Sequence, residues 1–300
     1  MQGRFPEVLD SSMLATFKHC AQKFKKVNIE QWKAKEESVH LIAGAAFAKG
    51  IEVARRSFYE EGHSAEDSVA LGLQALLTAY GNFECPADSA KSANRMAGAL
   101  EFYFDNYPLS MDDQSPIVLP NGKRAIEINF VHPIEILHPE TGNPLQYCGR
   151  LDAILNFAGG AFKTDEKTTT SLGPTWSRKW DLRSQFIGYE WGCRQGGIKT
   201  NGSLVRGISI LKTKYETQQA IINHPDWMVE RWHEEMLQWV RQMILCWQQG
   251  LWLYNMDDAC ADFGGCQFRQ ACASQDEQPW LETYFERKHW DPVTRTETKL

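Results

Sequence analysis

The sequence lacks any long apolar run. Its longest stretch, near Leu41 to Ala48, includes Gly44 and falls far short of the roughly 20 residues a membrane helix needs. The first ten residues, Met1 to Asp10, are polar and carry no apolar centre of an export signal. Internal repeats and low-complexity segments are also missing. Nor is there an excess of positive charge. Lysine and arginine total 32 against 38 acidic residues, a formal net charge of −6. That argues against a protein that simply coats nucleic acid, while leaving room for a local basic groove. These absences lead to the expectation of a cytoplasmic protein with no membrane partner, whose cysteines are buried thiols or metal ligands rather than disulfides. What the chain does have is 300 residues, 43% of them hydrophobic and 23% charged, with eight cysteines and eleven tryptophans. This is ordinary globular composition, long enough to bury a large core unaided.

The first part, 1–110, reads as helical. Ser11 and Ser12 offer an N-cap before Met13, Leu14, Phe17, Cys20 and Phe24, which recur at helical spacing. Further helices are expected over about Leu41–Glu61, from a Ser64/Asp67 capping box to near Tyr80, and over Ser89–Asn106. The texture then changes. In 111–225, Ala125–Leu137, Gln146–Phe157 and Ala161–Thr169 read as strands, the last two joined by Gly159-Gly160, a hairpin cue. A helix over Pro174–Gln195 and strands over Leu204–Lys212 and Gln218–Asn223 follow. The last part, 226–300, opens with a long amphipathic helix, Asp226–Gln249, whose Trp232, Trp239 and Trp247 read as core, and continues into a cysteine-bearing tail. The expectation is a single α/β domain over 1–300: a small sheet flanked by helices, with a helical N-terminal cover.

The hairpin carries the chemistry. With a two-residue Gly159-Gly160 loop, Lys167 lies opposite Asp152, Asp165 lies diagonal to Asp152, and all three project from one sheet face, with Glu166 on the other. Two carboxylates and a lysine on one face suit Mg²⁺ or Mn²⁺, hard ions that take oxygen ligands and activate water on a phosphoryl centre. A cross-strand salt bridge is the plainer alternative. On the next helix Gln185 and Tyr189 share a face, with Arg178 and Leu182 on the same stripe.

Gly149-Arg-Leu-Asp152, Asp165-Glu-Lys167 and Gln185-Phe-Ile-Gly-Tyr189, in that order, resemble the RecB-like branch of the PD-(D/E)XK nuclease superfamily over roughly Ser11 to Cys272. The resemblance implies a restriction-endonuclease-like α/β core and metal-dependent hydrolysis of DNA. Asp152 and Asp165 would be metal ligands and Lys167 the catalytic lysine. Gln185 and Tyr189 would arrange the site and the DNA strand. Glu127 is a further acidic candidate. Many relatives carry a metal-binding histidine on an early helix in a G-x-x-x-H pattern. Here Gly44-Ala-Ala-Phe-Ala48 places alanine there, and Glu52, one turn on, is the candidate substitute.

Cys20 lies early, and Cys260, Cys266 and Cys272 lie late, with five residues in each gap. In several RecB-like nucleases, including CRISPR-adaptation and AddB-type proteins, one early and three late cysteines hold a four-iron, four-sulfur (4Fe-4S) cluster that clasps the two ends of the domain. The same ligation is implied here, although the relatives' first gap is usually two residues. A Cys₄ zinc site and unliganded thiols are the alternatives. Cys85, Cys148, Cys193 and Cys246 read as ordinary buried thiols. Six lysines against Glu30 between Lys18 and Lys35, including Lys23, Lys25 and Lys26, form one basic stretch, and Arg178, Lys179 and Arg183 with Trp176 and Trp180 form another. Cations can follow phosphates and tryptophans can stack on bases, so both are candidate DNA contacts. Acid gathers in the tail at Asp257, Asp258, Asp262, Asp276 and Glu277. The function expected is an exonuclease on single-stranded or end-accessible DNA in recombination, repair or phage DNA metabolism. The alternatives are a DNA-binding or assembly protein with an inactive site, and a zinc-stapled interaction module.

Overall fold

The computed structural model describes residues 3–256, 258–261, 265–289 and 298–299. Asp257 and Asp262 of the acidic tail lie outside the described residues. In chain order the elements are β1 (Val8–Leu9), α1 (Ser11–His19), α2 (Ala21–Phe24), β2 (Trp32–Ala34), α3 (Val39–Tyr59), α4 (Ala65–Tyr80), α5 (Ala93–Asn106), β3 (Ile126–Leu137), β4 (Pro144–Phe157), β5 (Gly160–Thr169), α6 (Pro174–Arg178), α7 (Ser184–Gln195), β6 (Gly202–Ile210), β7 (Tyr215–Ile222), α8 (Asp226–Gln249), α9 (Arg269–Ala273), α10 (Gln278–Tyr284), β8 (Phe285–Arg287) and β9 (Thr298–Lys299). The protein is mixed α/β, a central mixed sheet with helices packed around it. The chain falls into two compact units. One comprises residues 37–130, 150–226 and 296–300, the other 1–36, 131–149 and 227–295.

The strands follow the order β7–β6–β5–β4–β3–β9. The larger unit holds β5, β6, β7 and β9 with residues 126–130 of β3 and 150–157 of β4, and the rest of β3 and β4 belongs to the smaller unit. β5 runs antiparallel to β4 and parallel to β6, and the β5–β6 connection passes through α6 and α7. A parallel pair needs such a crossover. All nine residues of β6 are buried, the pattern of a strand covered on both faces. On one side α3, α4 and α5 close a core of Phe47, Ile51, Leu76, Leu100, Tyr103 and Ile208. The axes of α3 and α4 come together at Gly50 and Gly72. A Cβ on Gly72 would stand 2.7 Å from the Gly50 carbonyl oxygen, so this crossing requires glycine. Ser64 caps α4 by accepting from the Asp67 N–H, as the capping-box pattern foretells.

Two local features differ from expectation. The hairpin loop is Ala158-Gly159, with φ of +48° and +77°, and Phe157 pairs with Gly160. Both loop residues are left-handed, as a type I′ turn demands. Gly160 serves another purpose: a Cβ there would lie 2.7 Å from the Asn201 side-chain oxygen, which accepts the Ala161 N–H. The helix expected over Pro174–Gln195 breaks into α6 and α7 at the Trp180–Arg183 turn. Leu182 is therefore 73% exposed, and the stripe of Arg178 and Leu182 with Gln185 does not exist.

In the smaller unit α1 is capped by Asp10, which accepts from Met13, rather than by Ser11 or Ser12. α1 stops at Cys20, whose backbone is extended, and α2 and a π-turn over Lys25–Ile29 follow. β1 pairs in parallel with Gln146 and Tyr147 of β4, and β2 pairs with β8. Phe17, Phe24 and Trp252 pack ring against ring. Trp32, Phe268, Leu281 and Phe285 form a second cluster on which Cys266 and Cys272 rest. On α8, Trp232 is core, but Trp239 is 37% exposed beneath the Lys18 ammonium. Cys148 and Cys193 are buried as expected, while Cys85 and Cys246 are only half-buried.

Candidate active site

The observed pairing aligns Ala153 with Thr164, so continuing it sets Asp152 beside Asp165 rather than beside Lys167. The register differs from the expected one by two residues. Side chains alternate with a period of two, so the face is unchanged. Lys167 Nζ stands 2.6 Å from Asp165 Oδ1, an ion-pair contact without hydrogen-bond alignment. Asp165 Oδ2 accepts from Gln185 Nε2 at 3.3 Å, and the same Nε2 lies 2.7 Å from the Tyr189 hydroxyl. Asp152 Oδ2 accepts the Glu166 backbone N–H at 3.0 Å. Asp152, Asp165, Lys167, Gln185 and Tyr189 therefore form one connected group. Among the described residues each aspartate keeps its Oδ1 free of an aligned hydrogen-bond donor.

Burial pushes the Asp152 carboxyl well above the usual carboxylate range, and the neighbouring Asp165, Glu166 and Glu127 push it further. Burial also raises Asp165, with Lys167 pulling the other way. For Lys167 burial acts downward, yet Asp165 and Asp152 outweigh it and raise the ammonium above the usual lysine value. Such crowding of carboxylates is what a bound divalent cation relieves, and the unaligned Asp165 Oδ1 is a buried oxygen suited to one. By donor chemistry the group fits Mg²⁺ or Mn²⁺. Glu127 is buried, has φ of +49°, and pairs with Arg150 at 2.7 Å. A non-glycine residue held there stores of order 1 kcal/mol of strain. Glu52 is engaged elsewhere, by Lys49 at 2.9 Å and Arg56 at 3.2 Å.

Behind this face lies an arrangement the sequence reading did not foresee. Glu166 points to the opposite side, as expected, and meets Arg55 at 2.5 Å and the Tyr103 hydroxyl at 2.9 Å. Arg206, fully buried on β6, donates to Tyr103 and to Gln114 at 2.6 Å and stacks on Tyr107. Arg55 and the other partners hold Glu166 below the usual carboxylate range against its burial. Glu166 in turn supplies the N–H that fixes Asp152. The visible signals were an arginine in the run Leu204–Ile210, whose other members are apolar or small, and Arg55 among Ile51, Ala54 and Phe58.

Arg178, Lys179 and Arg183 are exposed. Arg183 and Lys179 lie within electrostatic reach of Lys167 and of each other: burial first, then Arg183 and Lys167, lower the Lys179 ammonium. Trp176 and Trp180 are 5% and 7% exposed, edge to face with one another, and Trp180 packs on Phe186. Their rings belong to the core and offer no face to a base. Lys26 is also not a surface cation. It is fully buried against Glu277. Lys25 pairs with Glu30 at 3.2 Å, and Lys23 is half-buried.

The four end cysteines share the smaller unit. Cys20 caps α1, Cys272 lies on α9, and the Cys266 N–H donates to the Cys260 carbonyl at 3.1 Å. Burial pushes the Cys272 thiol up to about 11, with Lys26 opposing and Cys266 and Cys20 adding to it, so those three sulfurs are electrostatic neighbours. Cys260 Sγ contacts the Asn255 carbonyl at 3.7 Å. Among the described residues no group of three or more His, Cys, Asp or Glu side chains stands in the close arrangement of an assembled metal site. The donor set is nonetheless four soft sulfurs in one unit, the ligand chemistry of iron–sulfur clusters or zinc.

No protein-family model matches the sequence, and no curated protein matches it either. Among solved structures it is similar to a provisionally designated exonuclease of Eubacterium rectale, with 14% identity over 88% of this chain and 87% of that one and a TM-score of 0.47. It is also similar to the protein SSO0001, with 14% identity over 68% and 77% of the two chains and a TM-score of 0.29. Among the described residues no helix is long and apolar enough to cross a membrane.

Proposed function

We propose that this chain is a divalent-metal-dependent nuclease of the RecB-like PD-(D/E)XK type, hydrolysing DNA phosphodiesters as an exonuclease on single-stranded or end-accessible DNA. Recombination, repair or phage DNA metabolism would be its setting. The observation that supports it is the group formed by Asp152, Asp165 and Lys167 on one sheet face, tied through Gln185 to Tyr189.

Asp152 and Asp165 would hold Mg²⁺ or Mn²⁺, and the ion would supply Lewis-acid polarisation of the phosphoryl group and an acidified water. The protein's own part follows from the geometry. Glu166 N–H and Gln185 Nε2 each fix one carboxylate oxygen, which sets the rotamers of both aspartates; the metal would take the remaining oxygens, of which Asp165 Oδ1 is shared with the Lys167 ammonium. Lys167, with its pKa raised, remains an ammonium at neutral pH. It therefore serves as a fixed positive charge against the negative charge that develops on the phosphate, not as a general base. Arg183 and Lys179 extend that positive field along an exposed surface, where a phosphate backbone would lie.

Asp165→Ala and Lys167→Ala are each expected to abolish Mg²⁺- or Mn²⁺-dependent cleavage of single-stranded DNA while far-UV circular dichroism stays unchanged. Cleavage at wild-type rate by either folded variant would refute the reading. A DNA-binding protein with an inactive site is the second reading. It is favoured by Ala48 at the relatives' histidine position and by the engagement of Glu52 with Lys49 and Arg56. DNA binding by the wild type without any product would select it. For the cysteines the proposal is a 4Fe-4S cluster on Cys20, Cys260, Cys266 and Cys272, with zinc as the competing occupant.

A further inference from the structure

At the carboxyl ends of the parallel strands β5 and β6 lies a cleft of about 510 Å³, whose lining includes His40, Lys91, Thr170 and Lys212. Ligands of open α/β sheets characteristically bind beyond the carboxyl ends of their strands. Lys91 is 4% exposed, and its ammonium makes one hydrogen bond, to the neutral Thr168 hydroxyl at 3.1 Å. No carboxylate stands within ion-pair distance of it among the described residues. A buried cation is normally paired. Burial lowers this ammonium, and no neighbouring charge offsets the effect. Lys91 thus lacks a counter-charge in a lysine-bearing cleft large enough to admit one.

The surroundings favour an anion. His40 and Lys212 are exposed at the mouth. Val39 and His40 begin the 21-residue α3, and its N-cap residue Ser38 makes no side-chain cap bond. The first intrahelical bonds are those from Leu41 and Ile42 to the Ser38 carbonyl. The Val39 and His40 N–H groups therefore have no intrahelical acceptor, at the positive end of the helix dipole. Asp88 is the acid in the lining, and it is exposed.

We infer that the cleft at the carboxyl ends of β5 and β6 binds a phosphate group, with Lys91 as its buried counter-charge and Lys212, His40 and the N-terminus of α3 as further donors. Two sources share this chemistry: a free mononucleotide, and the terminal phosphate of a nucleic-acid strand. The inference stands apart from the nuclease reading, since none of these groups belongs to the Asp152–Asp165–Lys167 site.

The test is the melting temperature of the full chain in metal-free buffer, titrated with inorganic phosphate at constant ionic strength. The wild type is expected to rise in a saturable manner. Lys91→Met should melt no lower than the wild type without phosphate, because it removes an uncompensated buried charge, and should lose the saturable rise. Lys212→Ala, changed only at the mouth, should keep its melting temperature and bind phosphate about tenfold more weakly, the loss of one charge-assisted contact. No saturable rise in the wild type, or an equal rise in all three proteins as general salt exclusion produces, overturns the inference. If Lys91→Met does not fold, Lys212→Ala decides: unchanged phosphate affinity overturns it. Competition of phosphate binding by AMP, and by an oligonucleotide with and without a terminal phosphate, separates the two sources.

Discussion

Asp165 and Glu166 are adjacent in sequence and sit in opposite surroundings. One joins the crowded face with Asp152 and Lys167, and the other is claimed by Arg55, Tyr103 and Arg206. The period of a strand made that separation legible, and the Asp-x-Lys string marked the face proposed as the active site. The partners of Glu166 were not legible, because Arg55 comes from a helix more than a hundred residues earlier and no local pattern ties it to β5. The same holds for Lys163, fully buried on β5 against Glu190 of α7, with Thr200 and Arg194 completing the carboxylate's partners. Burial raises Glu190, but Lys163 and the other donors lower it below the usual value near 4.5. A lowered carboxylate contributes stability that is present above its unfolded pKa and is lost as pH falls through its folded one. Glu190→Gln also strands the Lys163 charge, at a cost of about 3 kcal/mol or more near neutrality. In urea unfolding from pH 7 to pH 3, the gap between wild type and Glu190→Gln is expected to be widest at pH 7 and to shrink below about pH 4.5. A gap that grows in acid would contradict this account.

At the scale of elements the three antiparallel and parallel strands β4, β5 and β6, and helices α3, α4, α5 and α8, were visible in hydrophobic periodicity and turn residues. Two misreadings have the same origin, a glycine or a polar run whose tertiary role outweighed its local signal. Gly160 looked like a turn residue and is instead a point of close approach to Asn201. The run Trp180–Arg183 looked helical and is the break between α6 and α7, fixed by two tryptophans that dive into the core. The α3–α4 contact is the reverse case. Neither Gly50 nor Gly72 advertised itself, yet their backbones touch. Gly72→Ala would drive a methyl against the Gly50 carbonyl, which cannot rotate away. Overpacking of this kind costs typically 1–3 kcal/mol, so the variant is expected to unfold at lower denaturant concentration with an unchanged slope. An undiminished midpoint would show that the two helices can part without penalty.

For the molecule as a whole, the net charge of −6 conceals an uneven distribution. Arg178, Lys179 and Arg183 stand exposed, the last two within electrostatic reach of Lys167, whereas part of the basic stretch around Cys20 is neutralised by Glu30 and Glu277. Counting lysines could not separate these populations, because burial and pairing depend on residues some 250 positions away. The cysteines behave similarly. Far apart in sequence, Cys20, Cys260, Cys266 and Cys272 lie in one unit, and Cys20 and Cys266 act electrostatically on Cys272. Protein purified without oxygen is expected to be brown and to contain about four irons and four sulfides per chain, the content of a single 4Fe-4S cluster on thiolates. Cys272→Ser should lower that content and the melting temperature together. Colourless protein carrying one zinc, or no metal, would replace the cluster proposal.

The hairpin of β4 and β5 has a consequence for how such a chain can change over time. Sliding β5 against β4 by two residues keeps Asp165 and Lys167 on their face, while sliding it by one would present Glu166 and Thr168 instead and turn two acid–base partners into the core. Selection on this loop therefore acts on both parity and alignment. An odd step reverses the face and demands a compensating bulge, whereas an even step keeps the face but carries Asp165 about 7 Å along β4 away from Asp152 and breaks the Glu166 N–H bond to Asp152, so it must be matched by moving the aspartate.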